Sequence, residues 1–181
     1  MQGLSYFYPI MIISVSDSIA LRSLTIADAP GFARYANNRK VSDNLRDAFP
    51  KPYTLDDAER FIHSVEGNTL PTVLGIEYKK EIIGSIGIYI GEDVYRLNAE
   101  IGYWIAEPFW GLGITTKVVE TMTAYSFKNF PLERLYARPF PFNIASIRVL
   151  EKCGYIHEAT LKNALVKQGH IYDELIFSKL K

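Results

Sequence analysis

The stretch Ile105-Ala-Glu-Pro-Phe-Trp-Gly-Leu-Gly-Ile-Thr-Thr-Lys117 joins a strand-like segment to a long segment of helical periodicity. Residues 97–105 alternate between apolar and polar positions, whereas Ile114, Val118 and Met122 recur at the spacing of one helix face. The first turn of a helix has amides without intrahelical partners, and it carries the positive end of the helix dipole. Glycines at positions 111 and 113 let a ligand approach the backbone closely, so the stretch predicts an anion-binding loop.

Two common phosphate-binding patterns do not fit this loop. The loop of P-loop NTPases requires Gly-x-x-x-x-Gly-Lys-Ser/Thr, which is absent here. A dinucleotide-binding fold requires Gly-x-Gly-x-x-Gly after the first strand of a parallel sheet, whereas this loop follows the fourth predicted strand. A nucleotide-binding module is therefore disfavoured, although Gly-x-Gly before a helix is by itself a weak signal that is also found in ordinary tight turns.

Outward from this loop, the periodicities predict a mixed α/β fold in which helices cover a mostly antiparallel sheet. Four helices are predicted: Ala27–Asn38, Tyr53–Val65, Gly111–Asn129 and Asn143–Lys152. Seven strands are predicted: Ser18–Leu24, Thr72–Tyr78, Glu81–Ile90, Leu97–Ile105, Leu135–Pro139, Tyr155–Leu165 and Ile171–Leu180. The segment Asn37–Pro52 is polar and is predicted to be irregular, and both it and Gly91–Arg96 are expected to shape the site of a second substrate. Thr54 and Asp57 predict a capping box at the start of the second helix. In the strand Glu81–Ile90 the alternation predicts Ile82, Ile86, Ile88 and Ile90 on one face.

Length and composition indicate one globular unit. The chain has 181 residues, with 20 Lys and Arg against 20 Asp and Glu. We interpret residues 1–17 as an N-terminal extension and residues 18–181 as a single domain. Balanced charge predicts neither a nucleic-acid nor a membrane partner. The opening apolar run is too short to span a bilayer and lacks the features of a signal peptide.

Cysteine and histidine usage argues against a metal site. Cys153 is the only cysteine, so no internal disulfide is possible, which is consistent with a cytoplasmic location. The three histidines are scattered and do not approach metal-ligand spacing, so we expect no metal.

Two segments carry a resemblance to a known family. They are Ala99-Glu-Ile-Gly-Tyr-Trp-Ile-Ala-Glu-Pro-Phe-Trp-Gly-Leu-Gly-Ile-Thr115 and Asn143-Ile-Ala-Ser-Ile-Arg-Val-Leu-Glu-Lys-Cys-Gly-Tyr155. Together they resemble the GNAT family of N-acetyltransferases, and more closely its RimJ/RimL-like branch of ribosomal-protein alanine acetyltransferases. The resemblance covers Ala20 to Lys181. It implies a seven-stranded GNAT fold whose sheet splays between the fourth and fifth strands, with acetyl-CoA as co-substrate.

The resemblance also implies a set of cofactor-binding residues. The pyrophosphate of acetyl-CoA would lie on the backbone amides of Trp110, Gly111, Leu112, Gly113, Ile114, Thr115 and Thr116. The amides of Trp104 and Ile105 would bond the pantetheine and polarise the thioester carbonyl, and Asn143 and Ser146 would contact the pantetheine near the sulfur. The family loop is usually Gln/Arg-x-x-Gly-x-Gly/Ala. Because Trp110 and Thr115 depart from it, we expect weakened rather than abolished binding.

The chemistry of amide formation indicates two catalytic candidates. A protonated amine must lose a proton before it attacks, and Glu100 on the polar face of the fourth strand is the candidate base. Its alternative role is a hydrogen bond to a neighbouring strand. Ser146 is the candidate proton donor to the leaving thiolate, with simple capping of the helix as its alternative. Many relatives carry a Tyr where this chain has Leu150. The thiolate could also leave unassisted or take a proton from water, and a thiol pKa of about 8.5 makes unassisted departure the preferred route.

The expected function is acetyl transfer from acetyl-CoA to a primary amine, by direct attack in a ternary complex. The acceptor could be a peptide N-terminus, in line with the resemblance, or a small molecule such as an antibiotic or a polyamine. A degenerate protein that binds CoA or a partner without turnover is the alternative from another class. The sequence leaves open whether the chain is a monomer or a homodimer.

Overall fold

A computed structural model describes residues 11–67 and 70–181. Its helices are α1 (Ala29–Ala36), α2 (Arg39–Asp43), α3 (Leu55–Val65), α4 (Ile114–Asn129) and α5 (Ile144–Lys152). Its strands are β1 (Ile12–Ser16), β2 (Ile19–Arg22), β3 (Val73–Tyr78), β4 (Glu81–Ile90), β5 (Asn98–Ile105), β6 (Arg134–Ala137), β7 (Ile156–Lys167) and β8 (His170–Leu180).

All eight strands form one sheet in the order β1-β2-β3-β4-β5-β6-β8-β7. Every neighbouring pair is antiparallel except β5 and β6, which run parallel. The parallel pairing covers only three register pairs, from Asn98–Arg134 to Glu100–Tyr136. Beyond Glu100 the two strands part, as the family resemblance predicts for the fourth and fifth strands of the sequence-based count.

Helices cover both faces of the sheet, and each face has its own apolar core. On one face α4 and α5 pack through Val118, Met122 and Leu150, which are fully buried. On the other face α1 and α3 pack through Phe32 and Ile62 against Trp104 of β5. Because side chains alternate along a strand, β5 contributes Ile101 and Ile105 to the first core and Trp104 to the second.

Local signals in the sequence account for the ends of the helices around the site. Thr54 and Asp57 form the predicted capping box of α3, in which the Asp57 amide donates to Thr54 Oγ1 and the Thr54 amide to Asp57 Oδ2. Asn143 caps α5 by accepting a hydrogen bond from the Ser146 amide at 3.1 Å. Gly154 follows α5 with a φ of +78°, the left-handed conformation expected just after a helix.

The structure differs from the sequence-based expectation at two elements. An eighth strand, β1, comes from the segment predicted as an extension: residues 12–16 pair with β2, and Ile13 and Val15 pack against the first core. Residues 1–10 lie outside the described part of the chain. A fifth helix, α2, lies within the segment predicted to be irregular, because the Asn38 side chain accepts from the Lys40 amide at 2.8 Å and so caps it.

The predicted assignment of β4 residues to one face of the sheet is also wrong. The alternation predicts Ile82, Ile86, Ile88 and Ile90 on the same side. Ile82 belongs to the second core, Ile86 and Ile88 belong to the first, and Ile90 is exposed. The register with β3 shifts at this point, from Ile76–Gly84 to Glu77–Ile82, which leaves Ile83 as an extra residue. Such a β-bulge reverses the faces of the residues that precede it.

Within residues 11–67 and 70–181, no helix combines the length and the apolar character that a membrane crossing requires.

Candidate active site

The separation of β5 from β6 leaves one edge of β5 open. The Ala106 amide donates to Ile83 O, and Asn98 O accepts from the Gly91 amide, so the backbone groups of even-numbered residues face β4. Neighbouring residues of a strand direct their amides to opposite sides, so the amides of Tyr103 and Ile105 face the gap. This register directs the Ile105 amide into the gap, and its bond to the pantetheine stays a prediction. The same register corrects the expected direction of the Trp104 amide, because the backbone of Trp104 pairs with Ser85 on β4 and Trp104 contributes its ring instead.

Trp110 closes one end of this open edge. Its indole Nε1 donates to the carbonyl of Ile105 at 2.7 Å, and the ring remains partly exposed. The carbonyl of Ile105 is therefore already bonded, while its amide is available to a ligand in the gap. Trp110 thus links the loop to the end of β5 through its side chain.

The start of α4 has the features expected of an anion site. Gly111 and Gly113 adopt φ values of +77° and +74°, a region that favours glycine. Gly113 is the N-cap residue and has no side chain to cap the helix, and the first intrahelical bond shown at this end is from the Lys117 amide to Gly113 O. Among the described residues, the amides of residues 114–116 consequently have no protein partner at the positive end of the helix dipole.

The gap and the start of α4 open into one cleft of about 1210 Å³. A volume above that of a typical single-ligand pocket fits two substrates. The predicted site residues that line the cleft are Glu100, Trp104, Ile105, Trp110, Gly111, Gly113, Thr115, Thr116, Asn143 and Ser146. The side chains of the other two do not line it: Leu112 is exposed to solvent and Ile114 is buried under the helix. Any role of these two therefore belongs to their backbone amides.

Ser146 is hydrogen-bonded to a residue that the sequence analysis did not select. Its hydroxyl lies 2.9 Å from the hydroxyl of Tyr103, and both residues line the cleft. Burial raises the pKa of Tyr103 above its ordinary value, so this phenol is protonated at neutral pH and can donate to Ser146. The alternation along β5 contains a signal for this contact, because Tyr103 shares a face with Ile101 and Ile105, on which α5 packs.

Glu100 is engaged by two cations. One carboxylate oxygen accepts from Arg46 and the other from Arg138 Nη2 at 2.7 Å. Arg138 also approaches Glu174 at 3.4 Å, and the Glu100 side chain is 15% exposed. The two arginines come from the loop after α2 and from the end of β6, which are remote from Glu100 in sequence, so no local pattern reveals the cluster.

Residues 44–50, between α2 and α3, line the cleft on the side of α1 and α3. Lys167 of β7, whose side chain is 2% exposed, donates to Leu45 O and to Asp47 Oδ1, each at 2.6 Å. This anchor holds residues 44–50 along the cleft, as expected for part of the segment Asn37–Pro52. Gly91–Arg96 does not line the cleft, and the expectation that it shapes the same site is wrong.

The described residues contain no group of three or more His, Cys, Asp or Glu side chains arranged to hold a metal ion. Cys153 is buried, and burial raises its pKa to about 11. Its thiol is therefore protonated at neutral pH and is a poor nucleophile.

Comparisons with known proteins agree with this geometry. The family profile described as "Acetyltransferase (GNAT) domain" matches residues 18–156. YoaA of Bacillus subtilis (strain 168), named an uncharacterized N-acetyltransferase, is 30% identical over 178 residues, which cover 92% of this chain and 95% of YoaA.

Two solved structures have the same fold. The Microcin C7 self-immunity acetyltransferase MccE, in complex with acetyl-CoA and AMP, has a TM-score of 0.79 and 26% identity over 93% of this chain and 96% of its own. RimL, the ribosomal L7/L12 alpha-N-protein acetyltransferase, in complex with coenzyme A, has a TM-score of 0.81 and 21% identity over 94% and 98%. RimL is consistent with the RimJ/RimL-like resemblance. The chain therefore belongs to the GNAT family and is an acetyl-CoA-dependent acetyltransferase.

Proposed function

We propose that this chain transfers the acetyl group of acetyl-CoA to a primary amine by direct attack in a ternary complex. The acceptor is the N-terminal amine of a peptide or the amine of a small molecule. The observation that carries this proposal is the continuity of the open β5 edge with the uncapped start of α4 in one cleft. One end suits a diphosphate, the middle suits an extended amide-bearing chain, and the far end is free for an acceptor.

The proposed contacts of acetyl-CoA use backbone groups. The amides of residues 111–116 hold the pyrophosphate. The Trp110 amide, which was expected to join them, already donates to Glu107 O at 3.1 Å. The amides of Tyr103 and Ile105 pair with the pantetheine as a neighbouring strand would. Asn143 Oδ1 is committed to the cap of α5, so its amide nitrogen is the group that can donate to the pantetheine. Acetyl-CoA supplies the activated carbonyl carbon, and fixed amides in a narrow slot stabilise negative charge on its oxygen.

Proton transfer to the leaving sulfur is assigned to Ser146, which gives its hydroxyl proton to the sulfur and takes up the proton that the attacking nitrogen loses as the amide forms. Either hydroxyl of the Tyr103–Ser146 pair can donate to the other. With Tyr103 as the donor, the Ser146 hydroxyl hydrogen is free to point into the cleft. Ser146 thus supplies a proton donor in a chain that has Leu150 where many relatives have a tyrosine.

Glu100 is proposed as a positioning residue. Both oxygens of Glu100 already accept hydrogen bonds from guanidinium groups. This geometry supports a structural hydrogen-bonding role for Glu100 rather than the role of a base. Glu100 holds Arg46, from residues 44–50, and Arg138, which directly follows β6, together across the cleft. The amine then loses its proton to water in the open acceptor end.

The test combines binding with turnover. Isothermal titration with acetyl-CoA is expected to give heat, and release of free thiol is expected when amines are added. Absence of both heat and a thermal shift at millimolar acetyl-CoA would overturn the proposal. Binding without thiol release across peptides, polyamines, aminoglycosides and amino acids would instead favour the CoA-binding alternative. The raised pKa of Cys153 keeps the protein's own thiol from contributing to the readout.

A further inference from the structure

The acceptor end of the cleft is walled by a continuous group of aromatic side chains. The ring of Phe32 lies 5.0 Å from that of Trp104 and 5.4 Å from that of Phe61, and Phe49 lies 4.8 Å from Tyr53 and 6.1 Å from Trp104, measured between centroids. All five residues line the cleft, but Phe32 is buried in the second core behind the others, and the partly exposed rings are those of Phe49 and Phe61. We call this group the aromatic wall. Trp104 places the wall beside Tyr103 and Ile105, the residues whose amides face the gap.

Two polar groups interrupt this apolar surface, the indole N–H of Trp104 and the hydroxyl of Tyr53. Tyr53 is 5% exposed, and its hydroxyl has no hydrogen-bond partner among the described residues. Every side-chain oxygen or nitrogen that is fully shielded from solvent has a partner in this part of the chain. The Tyr53 hydroxyl therefore keeps a small contact with solvent, and the surface that Tyr53 lines is the cleft. A ligand that covers this hydroxyl removes its solvent contact, so a ligand with a matching oxygen is favoured over one without.

The charged groups near Tyr53 are already committed to each other. Asp57 accepts from the amide and the hydroxyl of Thr54 and pairs with Arg60. Burial, followed by the negative charge of Asp57, raises the pKa of Tyr53 to about 12, so the phenol remains a donor at neutral pH. An oxygen on the occupant of the cleft can therefore replace solvent as the acceptor of this hydrogen bond.

We infer that the acceptor is a primary amine bearing a ring-sized apolar group, which packs on the aromatic wall and carries at its far end an oxygen that bonds the Tyr53 hydroxyl. This inference rests on the proposed function and specifies its acceptor class. Aromatic rings favour an aromatic or bulky apolar occupant through area and ring geometry. A site with a buried hydrogen-bonding group rejects an analogue that lacks the matching polar atom. Phenolic amines and peptides that begin with tyrosine share this chemistry.

The experiment compares acceptors that differ by one feature. Tyramine, phenethylamine, butylamine and spermidine are offered with acetyl-CoA, and kcat/KM is measured from thiol release. We expect tyramine to exceed phenethylamine at least tenfold, and phenethylamine to exceed butylamine and spermidine at least tenfold. A peptide that begins with Tyr and one that begins with Gly, tested in parallel, tell a peptide acceptor from a small-molecule acceptor.

Two variants connect the preference to the structure. In Tyr53→Phe, the ratio of kcat/KM for tyramine to kcat/KM for phenethylamine is expected to fall from at least ten to about one. Tyr35→Phe is the matched control, because its hydroxyl bonds Glu81 at 2.9 Å and Tyr35 does not line the cleft. Phe49→Leu keeps the apolar volume but removes a ring, and it should lower kcat/KM for both arylamines relative to butylamine.

The outcomes separate this inference from the proposed function. Turnover that is fastest with spermidine, butylamine or the Gly peptide, or a tyramine preference that survives Tyr53→Phe, overturns the acceptor class and leaves the proposed function intact. Absence of any turnover overturns the proposed function. In that case titration of tyramine into the protein with bound CoA decides the inference: binding that weakens in Tyr53→Phe supports it, and no binding overturns it.

Discussion

Glu100 offers a test at the scale of a single residue, because its base and positioning roles predict different pH profiles. If it positions Arg46 and Arg138, Glu100→Gln should lower kcat/KM by about tenfold at every pH from 7 to 10, since the loss comes from misplaced groups. If it removes the amine proton, the loss should be large at pH 7 and should vanish as the pH approaches the amine pKa. We expect the ratio of kcat/KM between wild type and Glu100→Gln to stay constant from pH 7 to 10. Glu81→Gln, at an exposed ion pair with Arg34, is the control and should leave the profile unchanged.

Ser146 is the second residue whose role can be isolated. Ser146→Ala is expected to lower kcat by about tenfold, less than typical acid catalysis because a thiol is a good leaving group. Tyr103→Phe should lower kcat by a smaller factor, since Ser146 keeps its hydroxyl but loses its donor. Ser126→Ala removes a buried hydroxyl from α4 outside the cleft and serves as the comparison. An unchanged kcat in Ser146→Ala, measured with saturating substrates, would establish that the thiolate leaves unassisted.

Two glycine-to-alanine substitutions should act in opposite directions. At Gly113 the φ of +74° makes any side chain strained, although an added Cβ would meet no other atom within 4 Å. The cost of a left-handed alanine is about 1–2 kcal/mol, which corresponds to a fall in Tm of a few degrees. Gly31 lies inside α1 with equal space and ordinary φ, so Gly31→Ala should stabilise by roughly 0.5–1 kcal/mol. Thermal melts of both variants check the signs, and a Gly113→Ala protein as stable as wild type would remove the strain argument.

The two proposed catalytic residues differ in how far sequence alone can define them. Ser146 could be placed near the gap, because it follows a capping residue in a recognisable segment, and its position in the cleft is confirmed. Its catalytic role stays a prediction. The partners of Glu100 could not be predicted, since Arg46 and Arg138 reach it only through the tertiary fold. Local periodicity reports which face a residue occupies, but it carries no information about which distant charge arrives there.

At the scale of elements, one ion-pair cluster ties β2 to β3 and to the turn before α1. Asp28 accepts from Arg22 Nη1 at 2.8 Å and Nη2 at 2.7 Å, and Arg22 Nε donates to Glu77 of β3 at 2.6 Å. Burial opposes the charge of Asp28, but the hydrogen bonds from Arg22 and Thr25 outweigh it, so the pKa of Asp28 lies below its ordinary value of 3.8. The stabilisation is complete above that value and is lost as the pH falls through the lower, folded-state pKa.

The pH dependence of unfolding tests this cluster. Asp28→Asn should lower the free energy of unfolding by about 2 kcal/mol at pH 7, the usual contribution of charged hydrogen bonds. The difference from wild type should narrow below about pH 4, because wild type loses the same stabilisation on protonation. Urea denaturation at pH 7, 5 and 3.5 measures this difference in the free energy of unfolding. As a control, Asp56→Asn, at an exposed ion pair on α3, should change the free energy of unfolding little at any of these pH values. A difference in free energy of unfolding between Asp28→Asn and wild type that does not depend on pH would contradict the role given to the Asp28 carboxylate.

Elements were predictable where periodicity was long and uninterrupted, and uncertain where a short signal was decided by tertiary contacts. The helical stripe of α4 is buried as predicted, through Ile114, Val118 and Met122. By contrast, α2 has only five residues and depends on its Asn38 cap, and β1 is held by pairing with β2. Short elements like these owe their stability to packing rather than to intrinsic preference.

At the scale of the whole molecule, the sheet consists of two parts that meet at a weak junction. Strands β1–β5 form one part and β6–β8 the other, and three register pairs join them. The helices α4 and α5 pack on each other beside the gap, so the interior of the protein remains continuous there. A bound pantetheine would take the place of the missing pairs between the two parts.

Amide hydrogen exchange, resolved by residue, tests this arrangement directly. In the free protein the amides of Tyr103 and Ile105 should exchange fast, whereas those of Trp104 and Ala106, which pair with β4, should be protected. Saturating CoA should protect the first two and leave the second two unchanged, which gives an alternating pattern along one strand. The helix-start amides of residues 114–116 should gain protection in the same titration. Uniform protection along β5 without CoA would mean that the edge is not open, and the proposed placement of the thioester would then be wrong.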